Sequence, residues 1–399
     1  MPSPYSFLYI AADADWPAMQ TRRDPWYVYA FTMRFASSER STLGVEWELG
    51  IVDAESRELT GIGPELISRL GDERFTKEFL TNTVELVTGV HRSAGSAVDE
   101  LRGLRDSLLT AADAAGAGVI GSGTHPFSKW REQQRSPGER YRLVTERSGR
   151  WGGQLAIWGV HTHIGVEDCR KVPAIMRAAL ANYPLMLALS TSSPYWQGED
   201  TTFSSHRTMI FQQLPTGGLP PEMETWEDYE RVAHDVLHTG IVDEVQELRW
   251  DVRPSAHWGT VEIRVSDGAT NLRELGAMVA LNHVIVEHAS RQLDAGRDTD
   301  RLPSWFVREN KWRAARYGLD AIIIEDAAGN ERPVTEVLAE RIEGDYLQVA
   351  EDLGCTEELG AIAEIIKSGS SSDRQRRVAE QHDGALVPVV DSLIAELKA

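Results

Sequence analysis

Residues 42–52 read TLGVEWELGIV. Leu43, Val45, Trp47, Leu49 and Ile51 alternate with Thr42, Gly44, Glu46, Glu48 and Gly50, and this period of two belongs to a β-strand. One face of that strand is wholly apolar and fits against a core. The other presents two carboxylates side by side, about 6.5–7 Å apart along the strand. A solvated strand face ordinarily mixes Lys, Thr, Ser and Glu, whereas this one carries acids with no cation between them.

The same pattern returns on three other segments. The extended run 83–90 (TVELVTGV) is interrupted by Glu85, and 154–166 (QLAIWGVHTHIGV) sets His161 and His163 on one parity. In 260–265 (TVEIRV), Val261, Ile263 and Val265 oppose Glu262 and Arg264. Any one of these pairs, taken alone, reads equally as exposed strand residues. Four in one chain point to a shared cavity. Acids crowded there repel one another, and a divalent cation neutralises them. Carboxylates with an occasional imidazole suit Mg²⁺ or Mn²⁺ rather than zinc.

The remaining pattern predicts an α+β fold. Ser96 and Asp99 suggest a capping box opening a helix to about residue 115, and residues 171–183 form a helix ending before Pro184. Residues 190–202 read as a long polar loop, 247–252 as a short strand, and Asn271 with Glu274 as the cap of a helix to about 293. A helix at 305–317 closed by Gly318 and a strand at 321–325 follow, and from about 334 the pattern is mainly helical. We expect an irregular N-terminal extension over 1–32 and one domain over 33–399. No strand leads into a glycine-rich phosphate loop, which disfavours Rossmann and P-loop folds.

The chain has 399 residues, with 41 Lys and Arg against 61 Asp and Glu, a formal charge of −20. That balance excludes a nucleic-acid partner, which needs a basic face, yet allows anionic small substrates held through a metal. Only two cysteines occur, Cys169 and Cys355, so a disulfide framework is excluded and a reducing cytoplasm is expected. No apolar run approaches the roughly 20 residues of a membrane span, so no membrane partner is expected.

The segments TLGVEWELGIV, GTHPFSKW (123–130), RYRLV (140–144), GVHTHIGV (159–166), LALSTSSPYWQGEDTTFSSHR (187–207), WDVRPS (250–255), GTVEIRVSD (259–267) and ENKWRAARYGLDA (309–321) occur in this order. Together they resemble the carboxylate–amine ligase branch of the glutamate–cysteine ligase type 2 family. The resemblance implies a glutamine-synthetase-like catalytic fold, a curved antiparallel sheet holding metals and ATP between flanking helices. It implies that Glu46, Glu48, His161 and Glu262 ligate Mg²⁺ or Mn²⁺, with Glu85 completing a shell. His163 then approaches the nucleotide phosphates, and Arg253 and Arg264 contact phosphate or the substrate carboxylate. The implied substrates are glutamate and an amine, with cysteine giving γ-glutamylcysteine. Homo-oligomerisation is implied by the resemblance alone.

Two other chemistries use similar residues: a guanidino-kinase-like phosphotransferase and a metal-dependent amide hydrolase. The turn 121–127 serves either a substrate or plain chain reversal. Residues 190–193 with Trp196, Gln197 and Arg207 either line the substrate end or form a covering loop. Arg313 and Arg316 read as structural, and His91, His125, His206, His257 and His288 have no partner pattern.

Overall fold

Residues 33–399 are described by the computed structural model, and the expected extension over 1–32 lies outside them. The described strands are β1 Leu43–Asp53, β2 Phe75–Lys77, β3 Thr83–Val87, β4 Ala117–Ile120, β5 Gly159–Gly165, β6 Tyr195–Trp196, β7 Glu199–Asp200, β8 Val252–Ser255, β9 Thr260–Asp267, β10 Ile322–Ile324 and β11 Glu331–Pro333. Seven of them form one sheet of order β2-β3-β1-β5-β9-β8, with β4 joining β1. Every pairing in it is antiparallel, and it does not close into a barrel. Gly50 pairs with Thr83 on one side and Ile120 on the other, so β4 continues the edge that β5 occupies at the start of β1.

The apolar face forms as the alternation requires. Val45, Trp47, Leu49 and Ile51 are buried, and Trp47 Nε1 donates to the Ala269 carbonyl at 3.3 Å. Helices Ala94–Asp113, Tyr183–Ser190 and Leu272–Asp294 pack against the sheet. A single apolar cluster runs from Leu43 to Leu397 and includes Leu359, Ile362 and Ile365 of the helical C-terminal part. Burial of this much apolar surface, at about 25 cal/mol per Å², is the main source of stability.

Several local expectations shift. The helix expected to be capped at Ser96 starts at Ala94, with the Ser93 side chain accepting from the Ser96 N–H. The helix expected over 171–183 becomes two, Val172–Ala181 and Tyr183–Ser190, because Pro184 has no N–H to donate to the Leu180 carbonyl. The strand expected over 247–252 is instead a 3₁₀ turn, Val245–Glu247, followed by β8. The loop after residue 190 contains the β6–β7 hairpin, whose turn residues Gln197 and Gly198 both take positive φ, as a two-residue turn requires. The cap at Asn271 and the stop at Gly318 form where the residues placed them.

Candidate active site

Cross-strand register assembles the polar face residue by residue. Glu46 lies opposite His161, Glu48 opposite Glu85, His163 opposite Glu262, and Glu262 opposite Arg253. Residues directly opposite in an antiparallel pair share a face, so seven of the eight expected site residues meet on one surface by pairing alone. The eighth, Arg264, arrives through a β-bulge. Val160 pairs with Ser266 but Thr162 pairs with Ile263, leaving Arg264 and Val265 to face His161 alone. The bulge also brings Asp267 round to the site face, opposite Gly159.

The side chains converge. His161 Nδ1 is 2.9 Å from Glu46 Oε2, and His163 Nε2 is 3.3 Å from Glu46 Oε1 and 3.9 Å from Glu262 Oε2. The other ring nitrogen of His163 is 3.1 Å from Thr260 Oγ1. Glu48 accepts the Gly159 N–H at 2.6 Å, and Glu85 accepts from the Thr76 hydroxyl. Three donor triplets form, each with its ligand atoms within 4.8 Å of one another: Glu46–Glu85–His161, Glu46–His163–Glu262 and Glu48–Glu78–Glu85. Glu46 belongs to two of them and so does Glu85, which makes the set one continuous strip.

Burial and mutual repulsion split the behaviour of these acids. Burial pushes Glu48 up to about 8, with the charge of Glu78 adding to it. Glu85 is also raised well above the usual range by burial and by Glu46, Glu78 and Glu48. Burial opposes ionisation of Glu46 too, but His161 and His163 outweigh it and hold Glu46 well below the ordinary carboxylate value. Glu262 is likewise held low against burial by Arg253 and Arg264. His161 is pushed down to about 4 by burial and Arg264, while Glu262 and Glu46 raise His163 against burial.

The residues fit a divalent metal. Five carboxylates and two imidazoles, all oxygen or neutral-nitrogen donors, suit Mg²⁺ or Mn²⁺, and the raised acids at Glu48 and Glu85 are the mark of negative charge short of a counter-ion. The two arginines differ. Arg253 donates to both Glu262 oxygens and to the Gln246 and Leu248 carbonyls. Arg264 donates to Glu262 through Nη1, and its buried Nε has no partner.

Three further residues at this face escaped sequence reasoning in whole or part. Glu78 follows a three-residue strand too short to show its parity. Asp267 depends on the bulge. Arg207, weighed as a loop residue, lies with only 3% of its surface exposed directly over Gly159, where a Cβ would sit 2.2 Å from its Nη2. The turn 121–127 is buried support: Gly123 leaves no room for a Cβ against Asp267, and His125 accepts from the Phe127 and Ser128 N–H groups. Arg313 pairs with Glu309 and Glu331, and Arg316 donates to the Thr202 carbonyl, both outside the strip. A groove of about 730 Å³ between helices Ala94–Asp113, Leu272–Asp294 and Thr356–Ser368 holds none of the strip residues. No single helix among the described residues is long and apolar enough to cross a membrane.

Known proteins share this chain's sequence and fold. A protein of Mycobacterium ulcerans named "Putative glutamate–cysteine ligase 2" is 51% identical over 367 residues, covering 91% of this chain and 93% of its own length. A protein of the same name from Clavibacter michiganensis is 47% identical over 373 residues, 92% of this chain and 96% of its own. The crystal structure of glutamate–cysteine ligase from Francisella tularensis in complex with AMP superposes with a TM-score of 0.64 at 15% identity, over 90% of this chain and 89% of that one. A bifunctional glutathione synthetase from Pasteurella multocida gives the same TM-score at 13% identity, over 90% of this chain and 52% of that one. At those identities the two structures establish the fold alone, an antiparallel sheet with flanking helices that this chain shares with both. The model of glutamate-cysteine ligase family 2 matches residues 42–392, and the chain belongs to that family.

Proposed function

We propose that this protein is an ATP-dependent carboxylate–amine ligase that activates the γ-carboxyl of L-glutamate and joins it to an amine, with L-cysteine as the acceptor. The observation that carries this reading is the strip of three overlapping acid and imidazole triplets flanked by Arg253 and Arg264. Membership of the family and the AMP complex of the Francisella tularensis enzyme support the use of ATP.

A carboxylate is a poor acyl donor because its oxygens are negative and neither can leave. Transfer of the γ-phosphoryl of ATP to one of those oxygens gives an acyl phosphate and releases ADP. The amine then attacks the acyl carbon, loses a proton and expels phosphate. Glu46, Glu48, Glu78, Glu85, His161 and Glu262 would hold Mg²⁺ or Mn²⁺, which when bound would supply charge neutralisation at the phosphoryl oxygens. Arg264 stands at the middle of the strip beside His161, at 3.4 Å, where its guanidinium can meet charge that develops on transfer. Arg253 orients Glu262 through two hydrogen bonds and so fixes the ligand that opposes His163. His163 turns Nε2 toward Glu46 and Glu262, the position from which it can approach bound phosphates.

The test is ADP release with Mg²⁺, ATP and L-glutamate, with and without a panel of amino acids and amines. Amine-dependent ADP release with a new amide supports ligation. A phosphorylated guanidino product or ATP-independent amide cleavage replaces it with the kinase or hydrolase chemistry.

A further inference from the structure

We propose that helix Glu139–Ser148 is a strap across the mouth of the acid strip, and that Arg147 is the positioning residue that latches it shut, keeping water from the activated acid. This rests on the ligase reading above, in which the acid passes through an acyl phosphate.

The helix is tied to both edges of the sheet. β2 and β8 stand at the two ends of the strand order. On the β2 side the Tyr141 hydroxyl donates to the Lys77 carbonyl at 3.1 Å, one residue before Glu78 of the Glu48–Glu78–Glu85 triplet. On the β8 side Arg147 donates to Glu247 at 2.9 Å and to Asp243 at 2.5 Å. Glu247 closes the 3₁₀ turn Val245–Glu247, and the Gln246 and Leu248 carbonyls of that stretch hold Arg253. Six strands about 4.8 Å apart span about 24 Å when flat and less when curved. A helix of 10 residues is about 15 Å long before its side chains reach outward, so the lengths match. Helices Ala94–Asp113, Tyr183–Ser190 and Leu272–Asp294 already cover the apolar face. Both tethers adjoin polar-face residues, Glu78 and Arg253, and the strap therefore runs over the strip.

Different forces hold its two ends. Near β2, Val144 is buried with Phe79, Leu80 and Ala156, and the Tyr141 ring meets Phe79 edge-on at 5.9 Å. At the far end the tie is the Arg147 fork, 28% exposed, with Asp243 59% exposed. Ion pairs this open to water are worth about 0–1 kcal/mol each, so the far end releases first. Gly149 follows the helix at φ 53° and ψ −128°, a conformation that favours glycine and lets the chain turn back there. An apolar hinge with a weak polar latch is the construction of a lid. Water exclusion matters for this chemistry. Water that attacks an acyl phosphate returns the free acid and inorganic phosphate, so ATP is consumed with no amide formed. Glu247 joins the latch to the site. Its Oε2 accepts from Arg147, and its Oε1 accepts the Asp243 and Glu244 N–H groups, fixing the turn that holds Arg253 on Glu262.

The experiment measures ADP and amide together, using the amine that gives the highest turnover, and ADP alone with no amine present. In wild type the two products should form in step. R147Q should raise ADP formed per amide by at least about threefold and raise amine-independent ADP release, with its thermal melting unchanged. R147K keeps the charge without the fork and should restore part of the coupling. Y141F loosens the opposite tether and should shift the ratio in the same direction. Amide hydrogen exchange over residues 139–153 should be faster in R147Q, and slower in wild type once Mg²⁺, ATP and L-glutamate are added. ADP and amide falling together in R147Q, at an unchanged ratio, overturns the proposal, as does exchange over 139–153 that R147Q leaves unaltered. A wild-type enzyme that releases no ADP, or forms no amide with any amine, overturns the ligase reading instead, and the exchange measurement still reads the latch in that case.

Discussion

Arg253 faces Glu262 across β8 and β9, with its Nε 2.6 Å from Glu262 Oε2. Arg264 donates to the other oxygen, so one buried carboxylate is shared by two guanidinium groups. Glu48, by contrast, has no cation within ion-pair distance among the described residues, and burial pushes it up to about 8.

The two glutamates therefore answer differently to loss of charge. Their shared strand face predicts that both Glu48→Gln and Glu262→Gln abolish ATP turnover and leave the fold intact. The ion pairs around Glu262 separate the two variants in stability. Glu48→Gln removes a carboxylate that is costly to ionise, so thermal stability should hold or rise while kcat falls by at least about 100-fold. Glu262→Gln leaves two partly buried arginines without the carboxylate they share, a loss of about 3 kcal/mol. Chemical denaturation of both variants without metal checks this; equal stabilities would show that Glu262 is not the pivot of the arginine pair.

Metal binding should release protons. At pH 7 Glu48 lies below its raised value of about 8 in the metal-free protein and is held protonated, and burial with the charges of Glu46, Glu78 and Glu48 shifts Glu85 in the same direction. A divalent ion needs the ionised forms and displaces those protons. The sign for stability follows. Between the ordinary value of 4.5 and about 8, an unfolded Glu48 is ionised and the folded one is not. Its contribution is thus fully present below 4.5 and is lost as pH rises through about 8. Calorimetric Mg²⁺ titrations in buffers of different ionisation enthalpy should show release of roughly one proton or more per chain at pH 7, shrinking towards pH 9. The same titrations on Glu48→Gln should show a smaller release. An identical proton count in both proteins would exclude Glu48 as a ligand.

Much of this site was readable because a strand's period of two is simple. Glu46 with Glu48, and His161 with His163, share faces by parity alone, and antiparallel pairing then sets Glu46 opposite His161, Glu48 opposite Glu85 and His163 opposite Glu262. The bulge at Arg264 and Val265 has no such signature, and it is what turns Asp267 into the site. Alternation at 247–252 imitates a strand because Leu248 and Trp250 are buried, yet the Gln246 and Leu248 carbonyls are taken by Arg253 instead of a ladder. The C-terminal helices read as a separate helical stretch. In space Ser372 N–H donates to the Thr191 carbonyl and Gln375 Nε2 to the Ser192 carbonyl, a tie across 180 residues that no local pattern encodes.

Gly50 tests how tightly the site face is packed. A Cβ there would meet the Trp158 ring at 2.7 Å, and Trp158 is pinned by its Nε1 hydrogen bond to Thr83 Oγ1 at 2.8 Å. Gly50→Ala should therefore cost about 1–3 kcal/mol by overpacking. Trp158→Phe in the same chain should recover part of that loss in urea denaturation. Wild-type stability in Gly50→Ala alone would mean the ring moves freely.

Lys311 and Asp251 form a buried pair, 2.6 Å apart and 4% and 3% exposed, with the Tyr183 hydroxyl 3.2 Å from the same Asp251 oxygen. The backbone of Asp251 also sets register: its N–H donates to the Gly218 carbonyl and its carbonyl accepts from Arg264 N–H at 2.8 Å. The pair thus holds the segment that presents Arg253 and Arg264. Lys311→Met strands a buried carboxylate and should cost about 3–5 kcal/mol. Lys311→Met with Asp251→Asn removes both charges at once and should recover most of that stability, giving a large coupling energy in a double-mutant cycle. Because the two arginines depend on this register, ATP turnover should follow stability in the single variant and return in the double one. Additive losses in stability would show that the two side chains act independently and that the segment is held by its backbone hydrogen bonds alone.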